Sequence, residues 1–160
     1  MDILETITAH KRIEVARQQE AVSLDVLISL GSQRLNRPAS SMRQALERSS
    51  TGIIAEFKRR SPSKGWLFPQ AKVEDIVPAY ESAGAAACSI LTDSKFFGGS
   101  FSDLQRARML TKLPLLRKDF IVDKYQVYQS RIFGADAILL IASSLTKDAC
   151  KNLAQIAHQM

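Results

Sequence analysis

The sequence predicts an α/β fold assembled from consecutive strand–helix units on a parallel sheet. Three observations carry that expectation. Short apolar runs at 53–58, 87–92, 115–120 and 137–142 have the length of strands. Their starts leave room for a crossover helix in each gap. The gaps themselves carry apolar residues at helical spacing. Such a sheet can stay open or close into a barrel.

Residues 2–20 read as an amphipathic helix that precedes the first strand. Asp2 and Glu5 have the spacing of a capping box, and Ile3, Leu4 and Ile7 begin an apolar stripe that runs on through Ile13 and Val15. A polar stretch with Gly31, Asn36, Pro38, Ser40 and Ser41 follows, and no element is predicted there. A short helix is expected at 42–48. After the first strand, Val73, Ile76, Val77 and Tyr80 share a helical face, which Pro78 should kink or force to start later. Leu104, Ala107 and Leu110 follow a cap placed at Ser102. Tyr125, Tyr128 and Ile132 follow Asp123, and Gly134 stands where that helix should stop. Beyond a cap at Thr146, Ala149, Cys150, Leu153, Ile156, Ala157 and Met160 keep helical spacing to the last residue. No Gly or Pro closes the pattern, so the chain is expected to be the first part of a longer protein. The expected organisation is a helical extension over 1–50 and strand–helix units over 51–160.

Composition narrows the classes of function. At 160 residues, 46% of them hydrophobic and 24% charged, the chain suits one globular domain. No apolar run approaches the roughly 18 residues that span a bilayer. Residues 1–20 lack the apolar core of a signal peptide, which makes the cytoplasm the expected compartment. The net charge of +6 would suit nucleic acid, an acidic membrane or an anionic metabolite. No basic run exceeds Lys58-Arg59-Arg60, and no aromatics interleave with it, so nucleic acid is not expected. Cys88 and Cys150 have neither metal-ligand nor CxxC spacing and read as small buried hydrophobes.

Chemistry gathers at strand ends. Glu56 and Lys58 are two positions apart and therefore share a face. In the third strand Leu116, Lys118 and Phe120 share one face, while Leu115, Arg117 and Asp119 share the other. Two lysines and a glutamate converging on one mouth would need mutual pairing or a ligand. The plainer alternative is a set of exposed strand-end charges or a simple Glu56–Lys58 salt bridge. The Arg59–Gly65 stretch after the first strand is small, polar and basic, which suits a mobile lid or an ordinary solvated loop. The loop after the second strand, 92–100, sets Phe96 and Phe97 among small residues, either to pack on its own base or to stack on a ligand.

Four segments now support a resemblance: IIAEFKRRSPSKG at 53–65, SILTDSKFFGGS at 89–100, LLRKDFI at 115–121 and GADAILLI at 134–141. In this order and spacing they resemble the successive strand-and-loop signatures of the indole-3-glycerol phosphate synthase family. The resemblance covers nearly the whole chain, including its N-terminal helix. It implies a (β/α)₈ TIM barrel, of which this chain holds the helical extension and the first four βα units. It also implies a carboxy-lyase of tryptophan biosynthesis, acting on 1-(2-carboxyphenylamino)-1-deoxyribulose 5-phosphate by ring closure, decarboxylation and dehydration. Lys118 matches the family's general acid, and burial beside Lys58 is expected to lower its pKa. Lys58 matches the lysine that contacts the substrate carboxylate, with the assignment of individual protons open between the two. Glu56 matches the carboxylate that orients both lysines and the substrate hydroxyls. Pro62, Phe97, Phe120 and Leu139 match positions that line the anthranilate pocket, and Ser61 belongs to the lid. No metal or organic cofactor is implied.

The family's further catalytic glutamate on the fifth strand, its asparagine on the sixth and its glycine-rich phosphate loops after the seventh and eighth have no counterpart in this sequence. The chain by itself is therefore expected to be inactive. The complete enzyme is expected to be a soluble monomer with a phosphorylated, carboxylated small-molecule substrate, whereas the half-chain should self-associate. Two other readings stay open. Phosphoribosylanthranilate isomerase shares the fold but needs a cysteine on the active rim, and Cys88 lies at the wrong end of its strand. A non-catalytic half-barrel that pairs with another chain or with itself would also fit the exposed sheet edges.

Overall fold

A computed structural model describes residues 2–160; Met1 of the expected extension lies outside the described residues. Three helices come first: α1 (Ile3–Ala21), α2 (Leu24–Leu35) and α3 (Met42–Arg48). The Asp2 and Glu5 capping box opens α1. Four strands then pair in parallel in the order β1 (Ile54–Phe57), β4 (Ala87–Leu91), β5 (Leu115–Lys118), β6 (Ala137–Ile138). Between β1 and β4 lie a two-residue hairpin, β2 (Arg60–Ser61) with β3 (Gly65–Trp66), and helix α4 (Val73–Ser82). The short helix α5 (Ser94–Phe97) and then α6 (Phe101–Leu110) join β4 to β5. Helix α7 (Lys124–Ile132) joins β5 to β6, and α8 (Lys147–His158) follows β6.

Strand alternation decides which side each residue serves. Phe57, Cys88, Ile90 and Leu115 turn outward and form the main core with Val73 and Val77 of α4 and Leu104 and Ala107 of α6. A second cluster, Val15, Leu27, Tyr125 and Ile132, seats α1 and α2 on α7. A third, Ile121, Val127 and Leu153, seats α8. The opposite face of the sheet is open, and Ile54 on it is exposed.

Several expectations need correction. Helix α2 occupies the stretch where no element was predicted; Ser23 caps it, its hydroxyl accepting from the Val26 amide at 3.4 Å. Gly31, read as part of a polar stretch, is mid-helix, and its lack of a side chain makes room for Ile132, whose Cδ1 would lie 2.4 Å from a Cβ there. The cap of α6 is Ser100 rather than Ser102, and Ser100 Oγ accepts from the Asp103 amide at 3.1 Å. Pro78 lies within a helix that continues through it. Its missing N–H leaves one bond to Glu74 unmade in the second turn, a loss that the buried Val73 and Val77 outweigh. The fourth strand is shorter than 137–142: only Ala137 and Ile138 pair, because β6 is an edge with a partner on one side, and a 3₁₀ turn (Ala142–Ser144) follows. Cys88 is buried as expected, whereas Cys150 is only partly so.

Candidate active site

Glu56 stands at the centre of the carboxyl end of the sheet. Its Oε1 lies 2.9 Å from Lys58 Nζ and its Oε2 lies 2.9 Å from Lys118 Nζ. Ser89 Oγ donates to Oε2 at 3.4 Å from the strand between them, and the Tyr80 hydroxyl of α4 donates to the Glu56 carbonyl at 3.0 Å. The period of two puts Ile54, Glu56 and Lys58 on the open face while Phe57 faces the core. Burial opposes the Glu56 charge, but the hydrogen bonds from Lys118 and Lys58 outweigh it and hold the carboxyl below its ordinary pKa. Two ammonium groups on one carboxylate leave one net positive charge at the mouth. The Lys118 side chain is 37% exposed.

Beside this triad lies an apolar cavity of about 510 Å³. Pro62 and Ser63 from the hairpin tip, Phe97 from α5 and Phe120 beyond β5 line it, and Ile3, Leu4 and Ile7 of α1 close it. The Phe97 and Phe120 rings are 5.9 Å apart. Three of the four residues matched to an anthranilate pocket therefore meet in one cavity. Leu139, past the end of β6, does not line it. The aromatic pair in the 92–100 loop divides its work: Phe97 faces the cavity, while Phe96 packs edge-on against His10 of α1 with centroids 5.6 Å apart. Gly99 is required there, since a Cβ would meet the Leu91 carbonyl oxygen at 2.2 Å.

The segment read as a lid is a hairpin fastened at its base. Arg59 donates to Asp103 through both terminal nitrogens, at 2.6 and 2.9 Å, and through Nε to the Ala71 carbonyl at 2.8 Å. Arg60 Nη1 donates to the Lys95 carbonyl at 3.0 Å. Ser61 Oγ accepts from the Lys64 amide at 3.2 Å and thereby shapes the exposed tip. Arg59 is thus a structural clamp and is not free for an anion.

Sequence reasoning missed the charge cluster under the mouth. Lys11 is fully buried, with Nζ 3.0 Å from Glu14 Oε2, 3.0 Å from Asp93 Oδ2 and 3.1 Å from Asp119 Oδ1. The contact with Glu14 is an aligned hydrogen bond; those with Asp93 and Asp119 are ion pairs. Burial disfavours the ammonium, but Asp119, Asp93 and Glu14 outweigh it and raise its pKa above the ordinary value. Asp119 also accepts from Arg117 Nη2 at 2.9 Å and from Thr92 Oγ1 at 2.6 Å. Burial would raise the pKa of Asp119, yet Arg117 and Lys11 hold it low. Asp93 caps α5, accepting from the Phe96 amide at 2.7 Å. One buried ammonium therefore ties α1 to the residue after Lys118 and to the loop that carries Phe97. A signal was available: Lys11 falls four residues after Ile7 and four before Val15, in the middle of the apolar stripe.

Cys88 faces the helices, and burial, with Glu81 nearby, pushes its thiol up to about 11. That removes the cysteine an isomerase reading would need at the mouth. Among the described residues, no group of three His, Cys, Asp or Glu side chains is placed to hold a metal, and no helix is long and apolar enough to cross a membrane.

Acid–base groups at the carboxyl ends of parallel strands, with helices on the opposite face, are the arrangement of (β/α)₈-barrel enzymes. The chain belongs to the indole-3-glycerol phosphate synthase family, which its residues 4–160 match. It is 55% identical over 161 residues to the indole-3-glycerol phosphate synthase of Bacteroides thetaiotaomicron, an alignment that covers 99% of this chain and 60% of that protein. It is 43% identical to the enzyme of that name from Neisseria meningitidis serogroup B and 44% identical to that from Prochlorococcus marinus AS9601. Those two alignments each cover 99% of this chain, with 62% and 54% of the relatives. The chain thus spans a little over half the length of the curated relatives it matches.

Proposed function

We propose that this chain carries the acid–base half of an indole-3-glycerol phosphate synthase site. The observation that supports the reading best is Glu56 holding Lys58 and Lys118, each at 2.9 Å, beside an aromatic-lined cavity. The cavity suits the benzoate ring of 1-(2-carboxyphenylamino)-1-deoxyribulose 5-phosphate. In this scheme Lys58 meets the substrate carboxylate and keeps it near the ribulose carbonyl. Lys118 donates a proton to that carbonyl oxygen as the ring carbon forms the new bond. Loss of carbon dioxide restores aromaticity, and protonation of the departing hydroxyl with removal of a proton from the adjacent ring CH2 completes dehydration. Glu56 orients both ammonium groups and moves protons between them. Ser61, Pro62, Phe97 and Phe120 enclose the ring, and Leu139 approaches the substrate from the next strand.

Residues 1–50 are then a helical extension and 51–160 the first half of the barrel, with phosphate gripped by later βα loops. The complete protein acts in the cytoplasm as a monomer, whereas the chain by itself is inactive and self-associates through the open face that bears Ile54 and Leu139. The test is steady-state turnover of the complete protein. Lys118→Ala should lower kcat by about 10²-fold or more, as expected for a lost general acid. Near-normal kcat would remove Lys118 from the mechanism.

A further inference from the structure

Four arginines meet at the opposite end of the sheet from Glu56. Arg34 ends α2 and Arg37 lies just beyond it, while Arg108 and Arg131 stand in the last turns of α6 and α7. Helices that lead into β5 and β6 end beside the amino ends of those strands, so this is the rim away from the candidate active site. With Ile132 and Phe133 the arginines line a cleft of about 330 Å³.

Part of this charge has a structural explanation. Cations belong at helix carboxyl ends, where carbonyls lack partners. Arg108 donates through Nη2 to the carbonyls of Thr111 and Leu113, and Arg37 Nη2 contacts those of Gly134 and Ala135 at 3.4 and 3.3 Å. Among the described residues the one acid paired with this set is Asp136, and it is already occupied. Its Oδ1 accepts from Arg37 Nη2 and the Ser40 amide, each at 3.0 Å. Its Oδ2 accepts from Arg108 Nη1 at 2.7 Å and the Leu115 amide at 3.0 Å.

Two guanidinium groups are left over. Arg131 is 6% exposed and spends only Nη2, on the Arg37 carbonyl; its Nε and Nη1 are buried with no acceptor. Exposed Arg34, on the same cleft, has no ion pair among the described residues. Buried guanidinium donors without acceptors are costly, and a ligand oxygen would relieve that cost. Burial and the neighbouring Arg37 also lower the pKa of Arg131, and Asp136 offsets them only in part.

We propose that this cleft binds a small organic oxyanion, a carboxylate or phosphate head that accepts from Arg131 and Arg34 with an apolar body against Ile132 and Phe133. The site is independent of the synthase reading, so neither result bears on the other. By bridging α2 and α7 through their arginines, the anion would stiffen the attachment of the helical extension.

Calorimetric titration of the chain with phenyl phosphate, benzoate and inorganic phosphate tests the site. Phenyl phosphate or benzoate should bind more tightly than inorganic phosphate, and whichever of the two wins identifies the head group. Arg34→Gln and Arg131→Gln should each weaken binding by about tenfold, the loss of one charged hydrogen bond. Arg131→Gln also disturbs the bond to Arg37, so Arg34→Gln, at an exposed position, keeps the test valid if the other variant fails to fold. Arg43→Gln, an exposed arginine paired with Glu47 elsewhere, should leave binding unchanged. Absence of binding by all three probes would overturn the proposal. So would binding that Arg34→Gln does not weaken, or that Arg43→Gln weakens as much. Equal affinity for inorganic phosphate and phenyl phosphate would overturn the organic assignment.

Discussion

Replacing Lys11 with methionine keeps most of the side chain's length and removes its charge. In the native chain three carboxylates surround that ammonium at 3.0–3.1 Å, and it is sealed from water together with Asp93 and Asp119. At an effective dielectric of about 20, each such contact is worth about 5 kcal/mol before the cost of desolvation is subtracted. Desolvation cancels most of the sum, and removing one partner of a buried pair costs about 3–5 kcal/mol in practice. The substitution leaves unequal survivors. Asp119 keeps Arg117 and Thr92, and Glu14 is partly in water. Asp93 keeps only the Phe96 amide, and it is fully buried. We therefore expect Lys11→Met to cost about 3–5 kcal/mol, a large share of the roughly 5–15 kcal/mol that holds a domain folded. Urea unfolding followed by circular dichroism at pH 7 measures it, and amide exchange should show α1 losing protection before β4 and β5. The loss should shrink near pH 4, where protonation relieves the stranded carboxylates. A cost below about 1 kcal/mol, or one unchanged by pH, would show that Lys11 is not their counter-ion.

The folded-state pKa values of Asp119 and Glu56 are depressed. Their contribution is present above the unfolded carboxyl values of about 4 and is lost as pH falls through the lower folded values, so acid titration of the melting temperature should show a steep fall below about pH 4. Lys11 is shifted the other way, so its contribution should persist to about pH 10 and fade only above that. Gly99→Ala would force a Cβ to 2.2 Å from the Leu91 carbonyl oxygen, a backbone atom that cannot swing aside, and should cost at least about 1–3 kcal/mol in the same urea assay. An unchanged midpoint would mean the 92–100 loop can shift without loss.

The legible parts of this molecule are those in which local pattern and tertiary role agree. Alternation within 53–58 set Glu56 and Lys58 on one face, and within 115–120 it set Lys118 with Leu116 and Phe120, because a strand has only two faces. The caps at Asp123 and Thr146 were readable for the same reason: each satisfies amides within its own turn. What escaped notice depends on a distant partner. Gly31 looks like an interruption until Ile132, about a hundred residues on, is seen to need the space. Ser100 and Ser102 offer the same hydroxyl, and the choice between them follows from Asp103, which the cap shares with Arg59. The burial of Lys11 was hard to foresee because the three acids that justify it come from three separate segments.

The wall that α1 gives the cavity has a consequence for how such a pocket changes over time. Ile3, Leu4 and Ile7 shape the space, yet they belong to no strand and donate nothing to the sheet ladder. Glu56 and Lys118 sit on β1 and β5, where register with β4 fixes them. Shape and chemistry are thus written in different stretches of sequence under different constraints. A larger or smaller side chain at position 3, which is half exposed, can alter what the cavity admits without disturbing either lysine. Change in α1 is therefore a route by which the shape of this cavity can alter while Glu56, Lys58 and Lys118 stay in place.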